Sequence, residues 1–405
     1  MFFAHYVTSF TKTWDFLSPF YHEAELPPHF SLSINAASLA FLSHQVNSRA
    51  AASSAREKYT SALKLTAKAL QCPEVATKQT TLLTSLLLDL FEKITFDEPR
   101  HISSWTSHVK GALSLVNLRG VEQFQDNSSI RVLNRLSTNL LITCVASESP
   151  VPRELLELRA HAEKYINIDD PKWHLSNYMI EYARLRSEIL YGRISVSDVA
   201  PLANILESKL HAFELSMPTE WQYTSESLAP ESEHIFNRQS DMYPDRQVKQ
   251  TRNVVRLVRI LLNKLVVKHC GSHSEDISLA ITANDNIDVL ANEICASVPQ
   301  YTYCVSEQQV ASTESKLPDR RSVERHTHSP EQALDCYTLI FPLYVVGQSI
   351  RSATPLKSWV IDQLHHMGSH FGIKNAEMVA KILEQGADVD PWAVYAMLGS
   401  YAFAT

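Results

Sequence analysis

Residues Thr80–Thr95 read TTLLTSLLLDLFEKIT, and this stretch decides the fold class. Leu82, Leu83, Leu86, Leu87, Leu90 and Ile94 recur with a helical period, while Glu92 and Lys93 fall off that face. An apolar face this broad predicts a helix buried on much of its circumference. Upstream, Ala50–Leu70 places Ala55, Tyr59, Ala62, Leu63, Leu65, Ala69 and Leu70 at the same period. Arg56, Lys58, Lys64 and Lys68 lie between them, and Pro73 closes the segment.

The same reading extends outward along the chain. Trp105–Leu118 is a helix with Ser103 or Ser104 as N-cap and Gly120 as the residue that ends it. Ser129–Cys144, Pro152–Asn167, Tyr178–Leu190, Val199–Ser216, Arg246–Lys268 and Ile281–Ala296 continue the series. Leu334–Ile350, Leu356–Phe371 and Asn375–Gln385 follow, separated by Pro355 and Gly372. No run of alternating residues predicts a strand, and no fixed-period repeat is present. The predicted class is all-α, an irregular multi-helix bundle or array forming one domain over residues 1–405. Two stretches break the pattern. Residues 217–244 carry Pro218, Pro230 and Pro244 and read as a surface connection. Residues 306–331 are polar, charged and poor in large apolar groups, which predicts a mobile, disordered loop.

Composition narrows the functional classes. The 405 residues include 37 Lys+Arg against 44 Asp+Glu, a formal net charge of −7. That balance gives no support to whole-surface nucleic-acid binding. Only nine residues are glycine, about 2% where roughly 7% is usual. Phosphate-cradling loops and dinucleotide folds depend on glycine for positive φ and close backbone approach, and few can be built here. The six cysteines, at 72, 144, 270, 295, 304 and 336, include no CxxC pair. This predicts free thiols in a reducing compartment rather than a disulfide framework or zinc ribbon. The start lacks a basic region followed by a clean apolar stretch, so no signal peptide is expected. Leu339–Val346 is among the longest apolar runs and falls far short of the ~20 residues that span a bilayer.

No GxSxG, P-loop, GxGxxG or HExxH sequence occurs. Asp362, His366 and His370 are spaced i, i+4, i+8, a metal-compatible helical face, but Gly368 interrupts it and no fourth ligand is evident. An exposed polar face is the expectation. His269-Cys270-Gly271-Ser272-His273 is ligand-rich yet falls where a long helix should end, which predicts capping. Lys249, Arg252, Arg256 and Arg259 form a cationic stripe on a helix whose other face carries Val255, Val258, Leu262 and Leu265. Such a stripe contacts phosphate or an acidic partner, or is solvated or paired internally, and the acidic total favours the last two. Phe2, Phe3, Tyr6, Phe10 and Trp14 follow helical spacing and predict packing rather than base stacking, since only Lys12 lies nearby. In the tail, Asp388, Asp390, Trp392 and Tyr395 mix acids and aromatics, which fits an activation segment or helix packing equally.

The segment Trp105-Thr-Ser-His108-Val-Lys-Gly111-Ala112-Leu-Ser-Leu115-Val-Asn-Leu-Arg119-Gly120 has the form WxxHxxGAxxLxxxRG. It resembles the signature of the fungal-specific transcription factor domain, the helical regulatory region that follows the two-zinc, six-cysteine cluster of fungal regulators. Leu82 to Glu92 is similar to that family's LLxxLLLxxFE helix, and Ala55-Arg56 to Ala62-Leu63 to its ARxxYxxAL element. Arg252 to Asn263 is similar to its WNxxRxxRIxLN helix, with Arg252 in place of the tryptophan. Phe341-Pro342-Leu343, Gly347, Trp359, Leu364, Gly368 and Gly372-Ile373 resemble its C-terminal signature. The likeness spans nearly the whole chain.

The signature residues Trp105, His108, Gly111, Ala112, Leu115, Arg119 and Gly120 have packing duties in this reading, not catalytic ones. Gly111 admits a neighbouring helix, Gly120 takes a left-handed C-cap, and Arg119 bonds the last carbonyls of its helix or a nearby carboxylate. The family's zinc-binding cysteines have no counterpart, because none precedes Cys72. The resemblance therefore implies a nuclear transcription regulator represented by its regulatory domain alone, with no zinc cluster. Other regulators, a second copy of the chain or a small-molecule effector are its implied partners. DNA would be reached only indirectly, and no membrane, cofactor, metal or catalytic residue is implied. The alternative is a small-molecule-binding helical sensor without DNA contact, which could reside in the cytoplasm.

Overall fold

The computed structural model describes residues 7, 14–20, 25–45, 48–95, 106–227, 234–271, 274–302, 330–349 and 354–398. Among them the protein is an all-α array with one small two-stranded sheet. The chain divides into two compact units, residues 1–210 with 390–405, and residues 211–389. The periodicity alone had suggested one core on both sides of residues 217–244. The expected loop at 306–331 lies almost wholly outside the described residues, as does Trp105.

The first unit opens with α1 (Pro28–Gln45) and α2 (Arg49–Ala69), which pack as a hairpin. Helix α1 escapes the periodicity because small and large apolar residues are mixed around it: Ala36, Ala37 and Ala40 are fully buried beside Phe30 and Phe41. Ser48 caps α2 by accepting the Ala51 N–H at 3.2 Å. After the short α3 (Pro73–Ala76) comes α4 (Gln79–Ile94), where Leu82, Leu83, Leu86, Leu87 and Leu88 are each at most 1% exposed. Burial of a leucine contributes roughly 1.5–3 kcal/mol, so this helix anchors the unit's core. Against it lie Val109, Ala112 and Val116 of α5 (Thr106–Arg119), in the same apolar core as Leu133, Leu136 and Leu140 of α6 (Asn127–Ala146).

Gly120 joins α5 to a 3₁₀ turn, Val121–Gln125, with φ 76° and ψ 177°. That is the glycine-only extended region rather than the left-handed helical cap the sequence suggested. Helices α7 (Arg153–Ala162), α8 (Pro171–Leu190) and α9 (Val196–Leu215) follow. Pro171 at the first position and the Asp170 cap start α8 seven residues before the periodicity does.

In the second unit α10 (Arg246–His269) packs on α11 (Ser274–Ala296). The short helices α12 (Pro299–Thr302) and α13 (Pro330–Tyr337) are followed by α14 (Ile340–Ser349), α15 (Pro355–His370) and α16 (Lys374–Glu384). Gly347 is tightly enclosed: a methyl there would meet Leu383 at 2.7 Å and Val360 at 3.3 Å. The stretch 217–244, expected as a surface connection, holds a 3₁₀ turn (Thr219–Trp221), β1 (Thr224–Ser227) and β2 (Gln239–Met242). The strands pair antiparallel from Thr224↔Met242 to Ser227↔Gln239. Ser240, Asp241 and Tyr243 are buried, so the described part of this stretch contributes to the unit's interior.

The tail forms α17 (Pro391–Leu398) within the first unit, with Trp392, Val394, Tyr395 and Leu398 buried. Trp392 lies 6.2 Å from Tyr182 and 5.8 Å from Tyr395, ring to ring. Of the two readings of Asp388–Tyr395, packing is the one observed. Gly120→Ala is expected to destabilise the protein by about 1–3 kcal/mol, because an L side chain at that φ and ψ is strained. A lowered urea midpoint at constant m-value checks this, and an unchanged midpoint contradicts it.

Candidate functional site

Two polar constellations stand out against the apolar interior, one in each unit. In the first unit, Tyr59 of α2, Glu92 of α4 and His108 of α5 converge. The Tyr59 ring stacks on Phe91 with centroids 4.3 Å apart, which aims its hydroxyl along α4. That hydroxyl donates to Glu92 Oε1, and His108 Nε2 stands 3.3 Å from both the hydroxyl and the carboxylate. All three side chains are half-buried. Ser85 Oγ donates to the His108 carbonyl at 2.9 Å and fastens α4 to α5 a second time. Each member of this triangle comes from a different one of the resembling sequence elements.

The remaining signature residues divide into core and cap. Ala112 and Leu115 are buried, as expected. Gly111 is exposed, and a methyl on it would meet only Ser85 Oγ at an ordinary 3.7 Å, so close approach does not require glycine there. Arg119 does not cap its own helix. Its charge faces Asp126, burial draws its pKa down, and its Nη1 has no hydrogen-bond partner among the described residues. The capping duty falls to Gln123, whose amide donates to Val116 O at 2.9 Å and Gly120 O at 2.6 Å.

A buried pair reinforces α4 further along. Lys93 Nζ meets Asp89 Oδ2 at 2.8 Å, and Asn139 of α6 donates to the same oxygen at 3.0 Å. The pair is nearly inaccessible to solvent, so each charge depends on the other for its stabilisation.

In the second unit the cationic stripe of α10 is internal. Lys249 and Arg256 are fully buried, Arg252 is 3% exposed and Arg259 6%. The expectation of internal pairing holds, and the expectation of a solvated face does not. Glu214, in the last turn of α9, receives Arg259 Nη1 at 2.9 Å and Arg256 Nε at 3.2 Å, with Arg252 Nη1 at 3.8 Å. Glu293 of α11 reaches Arg256 Nε at 3.0 Å. Arg256 also donates to the Tyr243 hydroxyl at 2.6 Å, while Arg252 Nε donates to the Trp221 carbonyl at 2.8 Å.

Three guanidiniums thus face Glu214 and Glu293, and Asp241 joins through the Tyr243 hydroxyl, which donates to its Oδ2 at 3.2 Å. Burial works against the charge of Arg256, but Tyr243, Glu214 and Glu293 outweigh it and hold its pKa well above the usual value. Burial pushes the Tyr243 phenol and the Glu293 carboxyl up.

Lys249 stands apart from this balanced set. Its ammonium sits 3.5 Å above the Tyr301 ring and donates to the Asp335 carbonyl at 3.2 Å, while the Asp335 carboxylate is engaged by Arg246 at 2.9 Å. Burial draws its pKa down to about 7.

On the Asp362–His366–His370 face Asp362 is exposed, as the sequence predicts, while the two histidines are partly covered. His366 and His370 are half-buried and stack at 4.7 Å, with His234 at 4.4 Å and Phe371 edge-on. Among the described residues no group of three or more His, Cys, Asp or Glu could hold a metal ion. Helix α10 ends at His269 with Cys270 as its cap, where the sequence placed the stop. No described helix is long and apolar enough to cross a membrane.

No protein-family model matches the chain, and comparison with curated proteins and with solved structures finds no similar one.

The neutral fraction of Lys249 sets a pH dependence. Its folded pKa, about 7, lies below the ordinary lysine value of 10.5, so between them the unfolded chain binds the extra proton. Stability therefore rises with pH across that window. Lys249→Met is expected to remove this rise when urea midpoints are compared between pH 6 and 9. Parallel pH profiles for the two proteins would contradict the assignment.

Proposed function

We propose that the chain is the regulatory portion of a transcription regulator of the fungal zinc-cluster class, acting through protein partners or a bound effector. The observation that carries this reading is the order of the five resembling elements along the sequence. Added support comes from Tyr59, Glu92 and His108, one from each of three elements, sharing a single hydrogen-bonded triangle. The acidic charge balance fits a module that reaches DNA through something else. Nuclear residence and regulatory partners belong to this same proposal.

A tethering experiment tests it. The full chain, fused to a heterologous DNA-binding module, is expected to raise or lower a reporter relative to that module alone in fungal cells. Purified on its own, the chain is expected to give no sequence-specific gel shift. Reporter output equal to the bare module overturns the regulatory reading. Tight sequence-specific binding by the chain itself overturns the indirect route to DNA.

A further inference from the structure

His365 projects from α15 toward α16 and touches two carboxylates at once. Its Nδ1 lies 2.8 Å from Glu377 Oε2, and its Nε2 lies 2.8 Å from Glu384 Oε1. Glu377 and Glu384 are seven residues apart, two turns of α16, so the imidazole bridges the length of that helix facing it. Ionised carboxylates only accept hydrogen bonds, and a neutral imidazole has a single N–H. Both contacts can be hydrogen bonds together only when the ring is an imidazolium. Close helix approach builds this geometry: at Gly368, three residues further along α15, a methyl would meet the Cβ and Oε2 of Glu377 at 3.0 Å.

We propose that His365, Glu377 and Glu384 form a proton-operated staple that fastens α16 to α15 when His365 is protonated and loosens it when the proton leaves. Deprotonation turns one of the two hydrogen bonds into an imidazole lone pair facing a carboxylate, and it removes both ion pairs. The other ionisable groups here do not compensate. Lys381 of α16 stands 3.4 Å from Glu377 and keeps its charge throughout. The local sum of His365, Lys381, Glu377 and Glu384 is therefore neutral with the proton and −1 without it.

From α14, packed on both helices, the ionisable side chain is Tyr344, whose hydroxyl donates to the Val389 carbonyl at 2.9 Å. Tyr337 of α13 accepts from Asn375 at 2.7 Å. Asp362 is exposed on α15, and His366 and His370 belong to the ring stack with His234. The hydrogen bonds to Glu384 and Glu377 hold the His365 pKa above its ordinary 6.5. The folded pKa being raised, the staple's contribution is complete below that ordinary value and is lost as pH rises through the folded one.

The consequence falls on the end of the second unit. Helix α16 leads into Gln385–Val389, where Tyr344 and Gln348 hold the Val389 carbonyl at 2.9 and 2.7 Å. Loosening α16 would free the segment next to these contacts.

The test uses the full chain and two readouts. A histidine Cε1-proton NMR titration, with the His365 resonance assigned by its loss in His365→Gln, is expected to give a midpoint above 6.5. In Glu377→Gln/Glu384→Gln that midpoint should fall back toward the ordinary value. Hydrogen exchange of the α16 amides, corrected for intrinsic rates, should accelerate as pH passes the wild-type midpoint. His365→Gln should show no such step, and far-UV circular dichroism establishes that both variants are folded. A wild-type midpoint at or below 6.5, or α16 protection with the same pH dependence in wild type and His365→Gln, overturns the proposal.

Discussion

Glu214 carries the constraint on which the second unit depends. It lies in the last turn of one helix, yet its two oxygens meet guanidiniums of Arg256 and Arg259, and Arg252 is close by. A guanidinium cannot shed its proton in a protein interior, so burying three of them is favourable only with carboxylates in place. Glu214 and Glu293 supply that charge from the helices on either side, and Tyr243 and Trp221 supply acceptors from the hairpin region. An apolar face can slide or rotate at modest cost. A buried ion network with this many partners tolerates one register, since truncating a member strands the others at roughly 3–5 kcal/mol.

The first unit solves the same problem with neutral and paired groups. Helix α4 is buried over most of its surface, so hydrophobic burial alone would leave its rotation poorly specified. Asp89 with Lys93 and Asn139 fixes it on one side, and Glu92 with Tyr59 and His108 on another. These contacts join helices α2, α4, α5 and α6. Such networks specify an arrangement more than they stabilise it.

The all-α class was legible because long amphipathic runs such as Ala50–Leu70 and Arg246–Lys268 carry an unambiguous period. Helix α1 was not, because apolar residues lie all round it and leave no hydrophobic contrast: Phe30, Ala36, Ala37, Ala40 and Phe41 are buried, and Ile34 and Leu39 pack against the core. The β1–β2 hairpin was not, because TSES and QSDM are short and polar, and one strand is exposed throughout. The cationic stripe was visible in the sequence, but its burial was not: Glu214 lies 45 residues from Arg259, and Glu293 37 residues from Arg256. A clue was present in Asn253 and Asn263, polar residues on the same helix that a purely solvated stripe would not need among so many valines and leucines. Similarly, Tyr59, Glu92 and His108 stood in three separate resembling elements, and only the folded chain joins them. Gln123 in place of Arg119 as the cap of α5 had no signal, since any nearby amide can reach a terminal carbonyl.

A double-mutant cycle on Glu214 and Arg259 addresses the buried network most directly. Glu214→Gln, Arg259→Met and the double variant are compared by urea denaturation of the full chain. The account predicts a coupling energy of at least about 1.5 kcal/mol, with the double variant more stable than the sum of the single losses implies. Additivity within about 0.5 kcal/mol would contradict it, and the network would then be a passive consequence of packing rather than its determinant.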